Sequence, residues 1–151
     1  MAIKQITPPQ AHEILDKDST VIYLDVRTVP EFTAGHPQRG MNIPVVLFDQ
    51  RTRQPTPNPD FLTVIEATIP KAATVIVGCQ AGGRSQRAAE MMAQAGYTNV
   101  ANMQGGFGGA RDQTGRVVVP GWQESGLPVS TDNGEGVSYA SLAAKAGVKE
   151  E

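Results

Sequence analysis

Covalent chemistry in this chain can start from one thiol, Cys79, the single cysteine of its 151 residues. It stands in Val75-Ile76-Val77-Gly78-Cys79-Gln80-Ala81-Gly82-Gly83-Arg84-Ser85-Gln86-Arg87. A β-branched run in that position delivers the thiol to the carboxyl end of a sheet, where open α/β folds bind ligands. Gly82 and Gly83 let the backbone curl back without a Cβ clash, aiming successive N–H groups toward the sulfur just ahead of a helix N-terminus. Such a nest holds anions, the helix dipole adds partial positive charge, and Arg84 can add a full one. A thiolate is the attacking form, and a free thiol with a pKa of about 8.5 is mostly protonated at neutral pH. Donors around the sulfur favour its anion without an adjacent base, which suits a sequence with no evident Cys–His dyad. A lone cysteine is more often an inert packed residue, but a core cysteine has no need of a glycine-rich nest beside it. Cys79 is therefore the candidate nucleophile, and Gln80, Ala81, Gly82, Gly83, Arg84 and Ser85 are the candidate anion-binding residues.

The other polar candidates read as structural. Asp25 and Arg27 fall at another strand's carboxyl end, where an ion pair or helix-cap contact is the simpler role. Arg87 lies in a helix's first turn, unfavourable for a cation, so it serves the anion or pairs with a carboxylate such as Asp25; the pair is preferred. His36 follows a glycine and reads as a hydrogen-bonding turn residue rather than a catalytic base. Arg51 and Arg53 belong to a solvated loop, and Trp122 to packing. The glycines between Gly105 and Gly109 do not match Gly-x-Gly-x-x-Gly, because from Gly106 the last position falls on Arg111, so dinucleotide binding has little support.

The elements that must position the cysteine follow from caps and breakers. Thr7 with Pro8 and Pro9 opens a helix reaching about Lys17. Thr20 to Asp25 is a buried strand. Thr28-Val29-Pro30-Glu31 has capping-box spacing and starts a short helix ending near Gly35. A further short strand is expected over Asn42 to Leu47, then a loop from Asp49 to Pro59, then a helix opened by Asn58-Pro59-Asp60 and stopped by Pro70. Ala73 to Val77, apolar without alternation, is the candidate central parallel strand. A helix from about Ser85 to Ala95 ends at Gly96, and Tyr97 to Met103 is another strand. Strands and helices alternating at these lengths imply a parallel sheet covered on both faces. Residues 1–129 form the expected domain. Residues 130–151 are a polar linker, Ser130 to Gly136, and a tail whose alanine-rich Val137 to Val148 forms a small helix docked on the domain or on a partner.

Composition narrows the function classes. The chain suits one domain, with a hydrophobic fraction of 40% and a charged fraction of 19%. A net charge of −2 offers no global attraction to nucleic acid or anionic membrane, and the longest apolar stretches are too short to span a bilayer. The first residues lack an apolar signal core, so a cytoplasmic location is expected. One cysteine makes no internal disulfide. Two histidines and one cysteine are too few for a structural zinc site, and no ligand-like spacing indicates another metal, so neither metal nor cofactor is expected.

At these residues the sequence resembles the rhodanese family, especially its single-domain members. Cys79-Gln80-Ala81-Gly82-Gly83-Arg84-Ser85 is similar to the family's loop that begins with the catalytic cysteine. Leu24-Asp25-Val26-Arg27, Glu31-Phe32, Gly35-His36 and Asn42-Ile43-Pro44 resemble its upstream signature. Met103-Gln104-Gly105-Gly106-Phe107 and Gly126-Leu127-Pro128-Val129 resemble its closing elements. The match runs in order from about Ile6 to Val129. It departs at Pro37-Gln38-Arg39, where the family usually has an Ile-Pro-Gly-like turn, and between Phe107 and Trp122, where residues 108–121 read as a hairpin insertion turning near Gln113-Thr114-Gly115.

The resemblance implies a three-layer α/β fold with a five-stranded, mainly parallel sheet in the order 1-5-4-2-3 and helices on both faces. It also implies a sulfurtransferase that moves sulfane sulfur through a Cys79 persulfide. The donor would be a small molecule (thiosulfate, polysulfide or a thiol persulfide), the acceptor cyanide, a thiol or a protein, and Arg84 would recognise the donor. Two rivals stand beside this reading. Arsenate reductases and phosphatases with related loops place five residues between cysteine and arginine, whereas Cys79 and Arg84 enclose four. A non-catalytic binding module, or a persulfide carrier, would use the fold for protein contact, and an intact Cys79 in a glycine-rich nest argues against a retired site.

Overall fold

The computed structural model describes residues 3–148. In chain order its elements are β1 (Lys4–Ile6), α1 (Pro8–Lys17), β2 (Ile22–Asp25), α2 (Val29–Ala34), β3 (His36–Pro37), β4 (Gly40–Asn42), β5 (Val46–Asp49), β6 (Gln54–Pro57), α3 (Phe61–Thr68), β7 (Val75–Gly78), α4 (Gly83–Gln94), β8 (Val100–Met103), β9 (Ala110–Arg111), β10 (Val117–Val119), β11 (Val129–Ser130) and α5 (Tyr139–Lys145). The central sheet runs β1-β8-β7-β2-β4, all parallel. Counted along the chain, those five strands stand in the expected order 1-5-4-2-3.

The period-2 geometry of the strands divides the core in two. On one side Leu24, Val75 and Val77 meet Phe61, Val64 and Ile65 of α3, Ala88, Ala89 and Met92 of α4, and Tyr139, Leu142 and Ala143 of α5. On the other, Ile6, Tyr23, Ile76 and Met103 meet Ala11 and Leu15 of α1, Phe107 and Trp122. With both faces of β7 covered, an unbroken apolar run is what its position requires. The helix starts follow their caps: Thr7 Oγ1 accepts from the Gln10 N–H at 3.4 Å while the Thr7 N–H donates to Gln10 Oε1 at 2.9 Å. Gly96, at φ 105°, ends α4.

Three segments differ from expectation or extend it. The strand expected over Asn42 to Leu47 straddles two elements. β4 closes at Asn42, and the chain then leaves the sheet into β5, which pairs antiparallel with β6 inside the segment read as loop. Prolines suggested that loop, but Pro55 and Pro57 lie in a two-stranded ribbon, whose outward edges tolerate residues without an N–H. The β9–β10 hairpin turns at Asp112 to Arg116, with the Gly115 N–H donating to the Asp112 carbonyl at 3.0 Å. The C-terminal segment wraps the domain: β11 pairs with β3, the Val137 carbonyl accepts from the Asn42 N–H at 2.9 Å, and α5 packs on α3. Among the described residues no helix is long and apolar enough to cross a membrane.

Candidate active site around Cys79

β7 hands the chain to a loop built on a tight backbone fit. A Cβ at Gly78 would collide with the Tyr23 hydroxyl, which lies buried against it. That hydroxyl has no hydrogen-bond partner among the described residues, and burial pushes the phenol well above its ordinary range, so it stays neutral. The next support comes from the segment between Gly105 and Gly109. The Phe107 N–H donates to the Cys79 carbonyl at 2.8 Å and the Gly108 N–H to the Gln80 carbonyl at 2.9 Å. The two backbones lie so close that a Cβ on Gly106 would strike the Cys79 carbonyl and come within 2.7 Å of the Gln80 carbonyl.

Cys79 Sγ, in a residue only 2% exposed, receives the Gly82 N–H at 3.1 Å and lies 3.3 Å from Ser85 Oγ. Gly82 caps α4 at φ 113°, a conformation that favours glycine. Gly83 does not share that role: its φ is unexceptional and a Cβ there would meet open space. The expected curl thus depends on one glycine rather than two. In the first turn of α4 the N–H groups of Gly83, Arg84 and Ser85 have no carbonyl within the helix to bond, and Gln86 is the first to do so, donating to the Gly82 carbonyl at 3.2 Å. The Ser85 hydroxyl has one proton and three acceptors within reach: Cys79 Sγ, the Gly82 carbonyl at 3.2 Å, and Asn102 Oδ1 at 2.5 Å. Asn102 is buried and oriented by donating to Gln5 Oε1 at 2.8 Å.

Arg84 is held. Its Nη1 and Nη2 donate to the two carboxylate oxygens of Glu31 at 2.8 and 3.0 Å. The same carboxylate accepts from the Thr28 N–H at 3.1 Å and the Thr28 hydroxyl at 2.9 Å. Partial burial raises the Glu31 carboxyl, but the Arg84 and Thr28 hydrogen bonds outweigh it and hold the group at about 2. The second guanidinium at the loop is Arg27, buried with Asp25 at 2.8 Å, as the sequence suggested. Arg27 also donates to the Gly35 carbonyl at 2.7 Å and to Gln80 Oε1 at 3.3 Å, and its Cζ lies 4.5 Å from the Phe107 ring centroid.

The remaining candidates sort cleanly. Gln80 and Ala81 are exposed at the loop. Arg87 is exposed, and Asp25 is taken by Arg27, so the preferred Arg87–Asp25 pair does not form. Buried His36 stacks on Phe32 and has carbonyl oxygens against both ring nitrogens, Pro37 at 2.9 Å and Asp132 at 2.7 Å. It is a hydrogen-bonded residue of the short strand β3 rather than of a turn, with no nitrogen left for the thiol. Arg51 and Arg53 are exposed, and Trp122 is packed, donating from Nε1 to the Pro128 carbonyl at 2.7 Å. Sequence reasoning missed three contributors. Glu31 was accounted for by the capping box, Asn102 is a polar residue inside a strand, and Gly106, like Glu31, stood in a family-like motif with no role at the cysteine assigned to it. Among the described residues no group of three or more His, Cys, Asp or Glu could hold a metal ion.

Comparison with known proteins places these features. The sequence model described as the Rhodanese-like domain matches residues 7–112. The chain is 35% identical over 106 residues to Thiosulfate sulfurtransferase 16, chloroplastic, of Arabidopsis thaliana, covering 70% of this chain and 77% of the relative. It is 42% identical over 85 residues to Protein HIGH ARSENIC CONTENT 1, mitochondrial, of the same plant, covering 56% of this chain and 49%, about half, of that protein. The crystal structure of Rv0390 from M. tuberculosis superposes with a TM-score of 0.72 at 31% identity, over 87% of this chain and all of the other.

Proposed function

Because the chain belongs to the rhodanese-like domain family, we propose that it is a sulfurtransferase carrying sulfane sulfur on Cys79. The thiolate attacks the outer sulfur of a donor. A new bond forms to Sγ, the donor's sulfur–sulfur bond breaks, and the electron pair leaves with the sulfite of thiosulfate or the thiolate of a thiol persulfide. The Cys79 persulfide then gives its terminal sulfur to cyanide, a thiol or a protein acceptor. The observation that carries this reading is the sulfur's setting: a buried thiol receiving the Gly82 N–H at the N-terminus of α4, beside the Ser85 hydroxyl. Those donors suit a sulfur anion before and after loading. They do so without a base, consistent with His36 being fully engaged elsewhere.

Intact-protein mass spectrometry after incubation with thiosulfate, polysulfide or a thiol persulfide tests the reading. The protein should gain the mass of one sulfur atom and lose it to cyanide, and Cys79→Ser should gain none. Loading without turnover would make the chain a persulfide carrier. A second reading, an oxyanion enzyme, draws on the relative whose name refers to arsenic content. It predicts arsenate reduction or aryl phosphate hydrolysis more efficient than sulfur transfer. The four-residue spacing from Cys79 to Arg84, with Arg84 already held by Glu31, supports sulfur transfer over it.

A further inference from the structure

We propose that Glu31 is a specificity-determining residue, which by holding and neutralising Arg84 turns the Cys79 site away from thiosulfate and toward thiol persulfides; this rests on the sulfurtransferase reading. Thiosulfate brings two negative charges, most of them on a sulfonate that a free guanidinium would grip. Two guanidiniums reach the catalytic loop, and each carries its own carboxylate: Arg84 with Glu31 at 2.8 and 3.0 Å, and Arg27 with Asp25 at 2.8 Å. Arg87, the remaining cation of α4's first turns, is exposed to solvent, where its charge is screened. Glu31 is not a casual surface partner. Thr28 fixes its carboxylate through both the N–H and the hydroxyl, and the side chains of Arg84 and Glu31 are only 30% and 34% exposed. A mouth whose cations are compensated repays the desolvation of a sulfonate poorly.

A thiol persulfide makes no such demand. Its transferable sulfur arrives protonated and uncharged, and the charge appears on the Cys79 persulfide once that proton leaves, beside the Gly82 N–H and the Ser85 hydroxyl. The Cys79 thiolate attacks the terminal sulfur of R–S–SH, the Sγ–S bond forms, and the inner S–S bond breaks with its pair going to R–S⁻. The proton stays on the transferred sulfur until solvent takes it, and no external oxidant or reductant enters.

The test is the ratio of kcat/KM for the two donors, a low-molecular-weight thiol persulfide and thiosulfate, measured by loading of the full chain. The wild type should prefer the persulfide by about tenfold or more, the scale on which one charge-assisted contact changes kcat/KM. Glu31→Gln frees Arg84 and should shift that ratio toward thiosulfate by about tenfold, mainly through a lower KM for thiosulfate. Adding Arg84→Gln to Glu31→Gln should erase the shift. A wild type that uses thiosulfate better than the persulfide overturns the proposal even if the variants fail to fold. So does a shift that survives in the double variant, or a ratio unmoved by Glu31→Gln. Loading from neither donor overturns the sulfurtransferase reading itself and this inference with it; loading from both with an unmoved ratio overturns only the role of Glu31.

Discussion

Replacing Gly106 by alanine isolates how far the Cys79 loop depends on the backbone beneath it. Gly106 sits at φ 58°, and a Cβ there would strike the Cys79 carbonyl and lie 2.7 Å from both the Gln80 carbonyl carbon and its oxygen. An L-residue in the left-handed region costs about 1–2 kcal/mol. Relieving the closest contact, to the Cys79 carbonyl, to ordinary van der Waals separation requires the two segments to part by roughly 1 Å, enough to weaken the Phe107-to-Cys79 and Gly108-to-Gln80 hydrogen bonds. With each bond worth about 1 kcal/mol, the variant should lose about 2–4 kcal/mol. For a domain of this size that is a melting temperature lower by about 4–16 °C. Because a 1 Å misplacement of reacting groups costs about a hundredfold, the folded variant should load sulfur on Cys79 roughly tenfold to a hundredfold more slowly. Thermal denaturation and the rate of persulfide formation by mass spectrometry read the two effects separately. A Gly106→Ala protein that melts within about 2 °C of wild type and loads at the wild-type rate would refute the claim that this crossing sets the cysteine's position.

Other outcomes follow from the same contacts. Gly83→Ala, at a helical position with open space for a Cβ, should raise stability by about 0.5–1 kcal/mol, seen as a higher urea midpoint; a loss would restore the two-glycine curl. The Glu31 carboxyl falls from 4.5 to about 2 on folding, so the stability its pair with Arg84 contributes is complete above about pH 4.5 and lost as pH falls toward 2. Discounted for solvent screening, that is on the order of 1 kcal/mol, so the advantage of wild type over Glu31→Gln in urea denaturation should shrink across that window; an advantage constant down to about pH 3 would contradict the pairing. Tyr139 is buried against the main core and its hydroxyl accepts from Asn58 Nδ2 at 3.1 Å, so Tyr139→Ala should cost about 3 kcal/mol, near 6–12 °C in melting temperature, and an unchanged melt would mean that α5 is not part of the core.

What the sequence revealed, and what it hid, follows from the range of each interaction. Caps and breakers act within a few residues, so α1, α3 and α4 could be read from Thr7, from Asn58-Pro59-Asp60 and Pro70, and from Gly96. β7 was legible because burial on both faces leaves an unbroken apolar run. β1 was not, since Lys4 and Gln5 are exposed and only Ile6 is buried. The β5–β6 ribbon was hidden by prolines that would break a central strand but sit harmlessly at an edge. At the site, Cys79 and Gly82 announced themselves through local backbone chemistry. Partners chosen across the fold did not: Arg84 meets Glu31 from α2, Ser85 meets Asn102 from β8, and Gly106 passes under Cys79. Nothing within one segment encodes those meetings, and Asp25 had two arginines near in sequence logic but only Arg27 near in space.

The strand order also dictates when the site can exist during synthesis. β2 and β4 neighbour each other early in the chain, and β7 adds directly to β2. β1, made first, pairs with β8, so Lys4 must wait for Ala101 before the sheet closes. Gln5, which orients Asn102 beneath Ser85, waits with it. Chain closure over such a separation is slow relative to local pairing. On the ribosome the cysteine loop is therefore made before Asn102 and Gly106, which finish its setting, and a nascent chain holds an unfinished thiol until they follow. Release of the Gly105–Gly109 segment from the exit tunnel is the point at which the backbone beneath that thiol can close.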